Sequence, residues 1–286
     1  MTEEIIRPAG RFLGAGVGED AALQIAGFGL DATCSYRPGT RAGPGGIRAA
    51  SDGIEEYDPV FDRSLEEVSF ADRGDLVIPY GNPARALEIA AGYYDGAAAS
   101  GRFVLTLGGE HLVTLAPVHS LLRRLPDLVV VQLDAHADLR ESYLGERLSH
   151  ACVMRRILDA GLDPDGLFQL GVRSGTREEF RAARHLDPEP SAARDVIAAV
   201  GRRPVYLTVD IDVADPAAAP GTGTPEPGGW SARELLETVA RLCALRLVGA
   251  DIVEVSPPVD PGGITQILAA KLAREVIVSR PPSTRM

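Results

Sequence analysis

Short apolar runs recur along the chain and alternate with stretches of helical periodicity. The runs are rich in valine, leucine and isoleucine and almost unbroken, which is typical of strands buried on both faces of a parallel sheet. They cover residues 23–30, 103–107, 128–133, 167–172, 205–209 and 247–255. The pattern predicts an α/β fold with three layers, α/β/α, around a mostly parallel central sheet.

Three helices are indicated by their first residues or by their spacing. The pair Asn82–Pro83 predicts an N-cap and a first turn for a helix over 84–99. Ser231 and Glu234 have the spacing of a capping box. Apolar residues at helical intervals predict a further helix over 264–278.

One segment, 213–229, is dense in proline, glycine and alanine. A domain boundary has such a composition, but long structureless connections inside a compact domain are usually functional loops. The chain has 286 residues, which one hydrophobic core can still support. We therefore expect a single domain over 1–286, with 213–229 as an active-site loop and 279–286 as a flexible tail.

Charge and composition exclude several classes of protein. The chain has 40 acidic and 29 basic residues and a formal net charge of −11, which opposes binding to nucleic acid. No apolar run approaches the roughly 20 residues of a membrane span, and the acidic start lacks a secretory signal. Three cysteines (34, 152 and 243) have neither metal nor disulfide spacing. We expect a cytoplasmic protein that binds neither nucleic acid nor membrane.

Acidic residues and histidines follow or end several of the predicted strands. These residues are His111, Asp134, His136, Asp138, Asp210, Asp212 and Glu254. In open parallel sheets ligands bind beyond the carboxyl ends of the strands, and residues i, i+2 and i+4 of extended chain share one face. Carboxylates crowded at such an edge repel one another unless cations hold them. The pattern therefore predicts a metal site.

The donor set favours two manganese ions per chain. Four aspartates and two histidines exceed the ligands of one zinc ion, and no cysteine is placed to join them. Oxygen-rich donors with some imidazole suit a harder divalent ion, manganese first, with bridging carboxylates. Four carboxylates would neutralise two such ions, and a bridging hydroxide would leave a slightly negative site suited to a cationic substrate.

These motifs resemble those of the ureohydrolases, the arginase and agmatinase family of binuclear manganese enzymes, and most closely its agmatinase-like branch. The metal motifs are 108–111, 134–138 and 210–216, and the segments 36–44, 219–229 and 253–258 resemble the agmatinase-like branch. Glu110 in the first motif is a mild variation on aspartate. The resemblance covers nearly the whole chain and implies an arginase-like fold and a homotrimer or homohexamer.

The resemblance also implies a role for each residue. One manganese ion would be held by His111, Asp134, Asp138 and Asp210, and the other by Asp134, His136, Asp210 and Asp212, with Asp134 and Asp210 as bridges. A metal-bridging hydroxide would attack the guanidinium carbon, releasing urea and an amine, which is putrescine when the substrate is agmatine. Glu254 would bind the guanidinium and Asp138 would hydrogen-bond the nucleophile. His150 would bind the substrate and carry a proton to the leaving amine.

The identity of the guanidino compound stays open. Ala151 follows His150 where the commoner pattern has glycine, and the short loop 139–149 lacks the segment by which arginases grip the α-substituents of their substrate. Agmatine is favoured, while guanidinobutyrate, guanidinopropionate, arginine and formiminoglutamate are alternatives on the same metal core. Arg140 or Arg147 could bind a distal carboxylate and would then repel agmatine.

Two other classes of protein are less consistent with the residues. A deacetylase-like hydrolase on a related fold would use one zinc ion, and Asp212 and the paired bridging aspartates would then have no purpose. A catalytically silent binding protein is disfavoured because every liganding position is present together with His150 and Glu254.

Overall fold

A nine-stranded sheet organises residues 5–280, the part of the chain that this computed structural model describes. The strands are β1 (Ile6–Arg7), β2 (Leu23–Phe28), β3 (Tyr57–Asp58), β4 (Arg63–Ser64), β5 (Phe70–Leu76), β6 (Phe103–Gly108), β7 (Val129–Leu133), β8 (Leu167–Leu170), β9 (His185–Asp187), β10 (Val205–Asp210) and β11 (Leu247–Val253). The α-helices are α1 (Gly43–Ser51), α2 (Pro83–Ala99), α3 (Leu115–Leu122), α4 (Val153–Asp159), α5 (Arg177–Ala182), α6 (Ala193–Val200), α7 (Ala232–Leu242) and α8 (Ile264–Val278).

The sheet is parallel except at one edge. Its order is β1-β5-β2-β6-β11-β10-β7-β8-β9, and β3 and β4 form a separate hairpin. Within the nine-stranded sheet, as described for residues 5–280, only the β1–β5 pair is antiparallel. Each of the six apolar runs contains a strand, so the predicted α/β fold with a mostly parallel sheet is confirmed.

Helices cover both faces of the sheet, as the unbroken apolar runs require. In β7, Val129, Val131 and Leu133 join the core formed with α1, α6, α7 and α8, whereas Val130 faces the core formed with α3 and α4. Because successive strand residues point to opposite faces, each position is buried against one helical layer or the other. One domain over 1–286 stays a prediction.

The helix starts follow the predicted capping chemistry. Asn82 accepts a hydrogen bond from the Arg85 amide at 3.0 Å, and α2 begins with proline at its first position. The reciprocal capping box of Ser231 and Glu234 is formed at the start of α7. Across the described range no helix has both the length and the apolar character that a bilayer crossing needs.

The segment predicted as a flexible tail is anchored where it begins. Ser279 caps α8, and the guanidinium of Arg280 donates a hydrogen bond to the Leu247 carbonyl at 3.3 Å. The same guanidinium lies 5.0 Å from the ring centroid of Phe103. The rest of that segment, 281–286, lies outside the described residues.

A buried ion pair ties α1 to strand β5, near the edge of the sheet. The side chain of Arg48 is 2% exposed and donates from Nε and Nη2 to Asp72 at 2.8 and 2.9 Å. Its Nη1 donates to Asp75 at 2.6 Å. Because Arg48 neutralises these acids, β5 enters the sheet although its polar sequence carries no strand signal.

We expect Arg48→Met to destabilise the fold by about 3–5 kcal/mol, because it leaves Asp72 buried without its partner. Denaturant unfolding measured by circular dichroism checks this. Arg73→Met is the matched control on β5, because Arg73 pairs with the exposed Glu19 and such pairs contribute little. Equal unfolding midpoints for the two variants would contradict the assigned role of Arg48.

Candidate metal centre

Four neighbouring strands deliver the candidate residues to one pocket. In the order β6, β11, β10 and β7, their carboxyl ends lead into His111, Glu254, the pair Asp210 and Asp212, and the motif 134–138. The pocket has a volume of about 140 Å³ and is lined by residues from all four segments. The structure therefore brings the six predicted metal ligands together with Glu254 and His150.

The first donor group centres on His111. Its Nδ1 atom lies 2.9 Å from Asp134, 3.1 Å from Asp138 and 3.3 Å from Asp210, measured to the Oδ2 atom of each. None of these contacts has the geometry of a hydrogen bond, and Nδ1 is a buried atom that has no hydrogen-bond partner among residues 5–280. A buried nitrogen surrounded by three carboxylates fits a cation placed among them.

The second donor group centres on His136. Its Nδ1 atom lies 2.9 Å from Asp212 Oδ2, another buried atom without a hydrogen-bond partner, and 3.7 Å from Asp134 Oδ1. Two groups of three residues have ligand atoms that lie within 4.8 Å of one another. The first group is His111, Asp134 and Asp210, and the second is Asp134, His136 and Asp212. Asp134 belongs to both groups, so the residues fit two ions that share at least this carboxylate.

The carboxylates of this centre have strongly perturbed pKa values. Burial, followed by the charge of Asp134, raises the pKa of Asp138 to about 7. Burial and the charges of Asp212 and Asp134 raise the pKa of Asp210 well above its ordinary value. Burial acts in the same direction on Asp134, but contacts with His111 and His136 hold its pKa below the ordinary value. Such acids ionise together only when cations balance their charge.

Two of the candidate site acids lie on strained backbone. Asp138 has φ 54° and Glu254 has φ 63°, in the left-handed region that non-glycine residues seldom adopt. The carbonyl of Asp138 accepts a hydrogen bond from the Met154 amide at 3.1 Å, and the next amide, Leu139, donates to Glu179 at 3.0 Å. These contacts hold a conformation that costs of the order of 1–3 kcal/mol, which is typical of functional sites.

A buried polar chain supports the ring of His111. Its Nε2 lies 2.9 Å from Thr208 Oγ1, and Thr208 lies 3.4 Å from the Thr114 hydroxyl. Thr114 and the Tyr206 hydroxyl both donate to Asp251, each at 2.8 Å. With Nε2 engaged in this way, Nδ1 is the nitrogen directed at the three carboxylates. The sequence pattern missed these residues because threonine and tyrosine are ordinary strand residues.

Glu254 and Glu110 are buried on the side of His111. The Glu254 carboxylate accepts a hydrogen bond from the His111 amide at 2.8 Å, and burial raises its pKa well above the ordinary value. Glu110 Oε2 accepts from the amides of Ala32 and Thr33 at 3.1 and 2.7 Å, and burial raises its pKa to about 7. Glu110, which stands where aspartate is commoner, thus links the motif 108–111 to the backbone of residues 32 and 33.

Thr33 in turn positions His150. Its Oγ1 accepts a hydrogen bond from the His150 amide at 3.1 Å and lies 3.1 Å from the ring Nδ1. Burial, followed by the positive charge of His136 and His111, lowers the pKa of His150 to about 4. The imidazole is therefore neutral at pH 7, and Nε2 is the nitrogen left to exchange protons with the pocket.

The two loops near the predicted substrate site, 213–229 and 139–149, both contribute residues to the pocket. Thr224, in the segment 213–229, lines the pocket, as the active-site-loop prediction requires. Arg140 also lines it. Arg147 instead pairs with Glu141 on the surface at 2.7 Å, so Arg140 is the arginine of the two that a substrate can reach.

Paired candidate metal-donor groups at the carboxyl edge of a parallel α/β sheet define the class of the protein as an α/β metal-binding protein. Residues 21–279 match the arginase family. The chain is 43% identical over 270 residues to an agmatinase of Bacillus anthracis, covering 91% of this chain and 92% of that protein. It is 38% identical over 283 residues to a guanidinobutyrase of Pseudomonas aeruginosa, covering 93% of this chain and 88% of that protein.

A solved structure agrees with these relatives. The agmatine ureohydrolase of Thermoplasma volcanium matches with a TM-score of 0.87 at 34% identity, covering 96% of this chain and 95% of that one. The chain therefore belongs to the arginase family and is an agmatinase-like ureohydrolase, a hydrolase of guanidino C–N bonds. The resemblance seen in the motifs is confirmed.

We expect His150→Asn to change the pH dependence of stability in a defined direction. Because the pKa of His150 is about 4 in the folded protein and ordinarily 6.5, the unfolded chain binds its proton first as the pH falls. The parent therefore loses stability between pH 6.5 and 4 through this group, and the variant lacks that loss. Denaturant unfolding across this range tests the sign, and parallel curves for parent and variant would contradict it. An NMR titration of the His150 ring should show a midpoint near 4.

Proposed function

We propose that this enzyme hydrolyses agmatine to putrescine and urea with two manganese ions per chain. The observation that carries the proposal is the pair of donor groups sharing Asp134 beside the buried acid Glu254. Cationic guanidino substrates suit a pocket in which carboxylates predominate. The relatives named agmatinase support agmatine in particular. Assembly as a homotrimer or homohexamer and a cytoplasmic location stay predictions, and release of putrescine would give the enzyme a role in polyamine metabolism.

Six side chains would hold the ions. His111, Asp134, Asp138 and Asp210 would hold one, and Asp134, His136, Asp210 and Asp212 the other. When bound, two divalent cations lower the pKa of water from about 15.7 towards 7, which supplies a nucleophile at neutral pH. A set dominated by carboxylate oxygens and completed by imidazole suits manganese better than a single zinc ion.

Three further roles belong to residues of the pocket. A guanidinium is resonance-stabilised and a poor electrophile, so it must be held in place for attack. Glu254, fixed by the His111 amide, would accept hydrogen bonds from the guanidinium. Asp138 would accept a hydrogen bond from the nucleophile. His150, neutral at pH 7 and held by Thr33, would take up the released proton and pass it to the leaving amine.

Guanidinobutyrate is the second candidate substrate. It carries a distal carboxylate where agmatine carries an ammonium, and Arg140 is a cation that lines the pocket. The guanidinobutyrase relative supports the same alternative. The two candidates differ in the charge of the tail, so direct competition between them separates the hypotheses.

The proposal is tested by measuring product release from five compounds. Urea is measured with agmatine, 4-guanidinobutyrate, 3-guanidinopropionate and arginine, and formamide with formiminoglutamate. We expect the highest kcat/KM for agmatine in the manganese-loaded enzyme. Metal analysis of the same sample should give two ions per chain. A preference for another compound would overturn the substrate assignment, and one zinc ion per chain would overturn the metal assignment.

Two variants should separate metal binding from proton transfer. Asp134→Asn removes the carboxylate common to both donor groups, so metal content and turnover should fall together. His150→Asn should retain both ions and lose roughly 10²-fold or more in kcat, because it removes the proton carrier. A metal-replete His150→Asn enzyme with the parent kcat would contradict the role of His150.

A further inference from the structure

The outer wall of the pocket carries one ion pair that the proposed chemistry does not use. Among the described residues that line the pocket, the charged side chains outside the metal-donor set and His150 are Arg140, Glu179 and Glu254. Glu254 has a proposed partner in the guanidinium. The remaining two are paired with each other, since Arg140 Nε lies 3.3 Å from Glu179 Oε2.

Glu179 is held in place independently of Arg140. It lies on α5 and is 4% exposed. Its carboxylate accepts hydrogen bonds from the Leu139 amide at 3.0 Å and from the Thr176 amide at 2.7 Å, the latter as part of the α5 capping box. Two backbone donors thus fix a negative charge at the pocket wall.

Arg140 is less constrained. Its side chain is 33% exposed, and its guanidinium carbon lies 4.6 Å from the ring centroid of Tyr143. The contact with Glu179 uses Nε, which leaves the two terminal nitrogens available to a group in the pocket. Arginine binds carboxylates in a bidentate manner through such nitrogens.

The pair adds no net charge to the pocket wall. An uncompensated Arg140 would repel a substrate that ends in an ammonium and would attract one that ends in a carboxylate. Glu179 cancels this preference because its carboxylate is fixed beside the guanidinium. The charge at Glu179 therefore bears on which substrate tail the pocket accepts.

We propose that Glu179 is a specificity-determining residue, which admits cationic substrate tails by neutralising Arg140. This inference rests on the proposed hydrolysis of guanidino compounds. It assigns to one carboxylate the discrimination between substrates whose tails end in a positive or a negative charge. Without that charge, Arg140 selects substrates with an anionic tail.

Glu179→Gln tests the inference because it removes the charge and keeps an amide oxygen that can accept from a backbone amide. We expect the ratio of kcat/KM for 4-guanidinobutyrate to that for agmatine to rise about tenfold or more, as for an uncompensated charge at a binding site. Glu178→Gln is the matched control, because Glu178 is the exposed neighbour on α5. It should leave the ratio at the parent value.

A second set of variants tests whether the effect passes through Arg140. In the double variant Arg140→Met with Glu179→Gln the ratio should return towards the parent value. Arg140→Met alone leaves Glu179 unpaired and should lower the ratio. This single variant does not alter the α5 cap, so it keeps the inference testable if Glu179→Gln fails to fold.

Binding of the two reaction products gives the same comparison without turnover. Isothermal titration should show that Glu179→Gln weakens putrescine binding and strengthens 4-aminobutyrate binding. An equal loss for both substrates and both products, with the ratio unchanged, would overturn the inference and leave Glu179 a structural residue. The substrate preference of the parent enzyme is measured separately, so failure of the agmatine assignment is distinguishable from failure of the Glu179 assignment.

Discussion

Mutual repulsion among buried carboxylates is the constraint on which the site depends. Asp134, Asp138 and Asp210 all approach one nitrogen of His111 at the carboxyl ends of the central strands, where burial limits screening by solvent. Burial raises the pKa values of Asp138 and Asp210, so the arrangement resists full ionisation. Divalent cations would convert this repulsion into attraction, which is why the fold can place these acids beside its apolar core.

The surrounding structure supplies the rigidity that such a centre needs. Asp138 and Glu254 keep left-handed backbone because neighbouring amides and carboxylates hold them. The hydrogen-bonded side chains of Thr208, Thr114 and Asp251 orient the ring of His111. The Thr33 hydroxyl orients the ring of His150. Chemistry therefore rests on contacts between segments that are distant in sequence, in the manner of preorganised catalytic sites.

The central strands and the metal motifs could be predicted because their signals are local. The edge strands β1 and β9 and the neighbouring β5 could not, since they are short or polar, and β5 depends on Arg48 from another element. The Thr33–His150 contact spans 117 positions, and no spacing rule reveals it. The sequence likewise could not distinguish Arg140 from Arg147, because only the fold places one of them in the pocket.

The order of the sheet also dictates when the centre comes into existence. β11 is the last strand of the described chain, yet it lies between β6, which leads to His111, and β10, which leads to Asp210. Until residues 247–253 have been synthesised, no strand joins the half of the sheet that contains β6 to the half that contains β10. Only insertion of β11 joins the histidine of one half to the aspartates of the other. The donor group of His111, Asp134 and Asp210 can therefore be complete only after β11 has been synthesised and has entered the sheet.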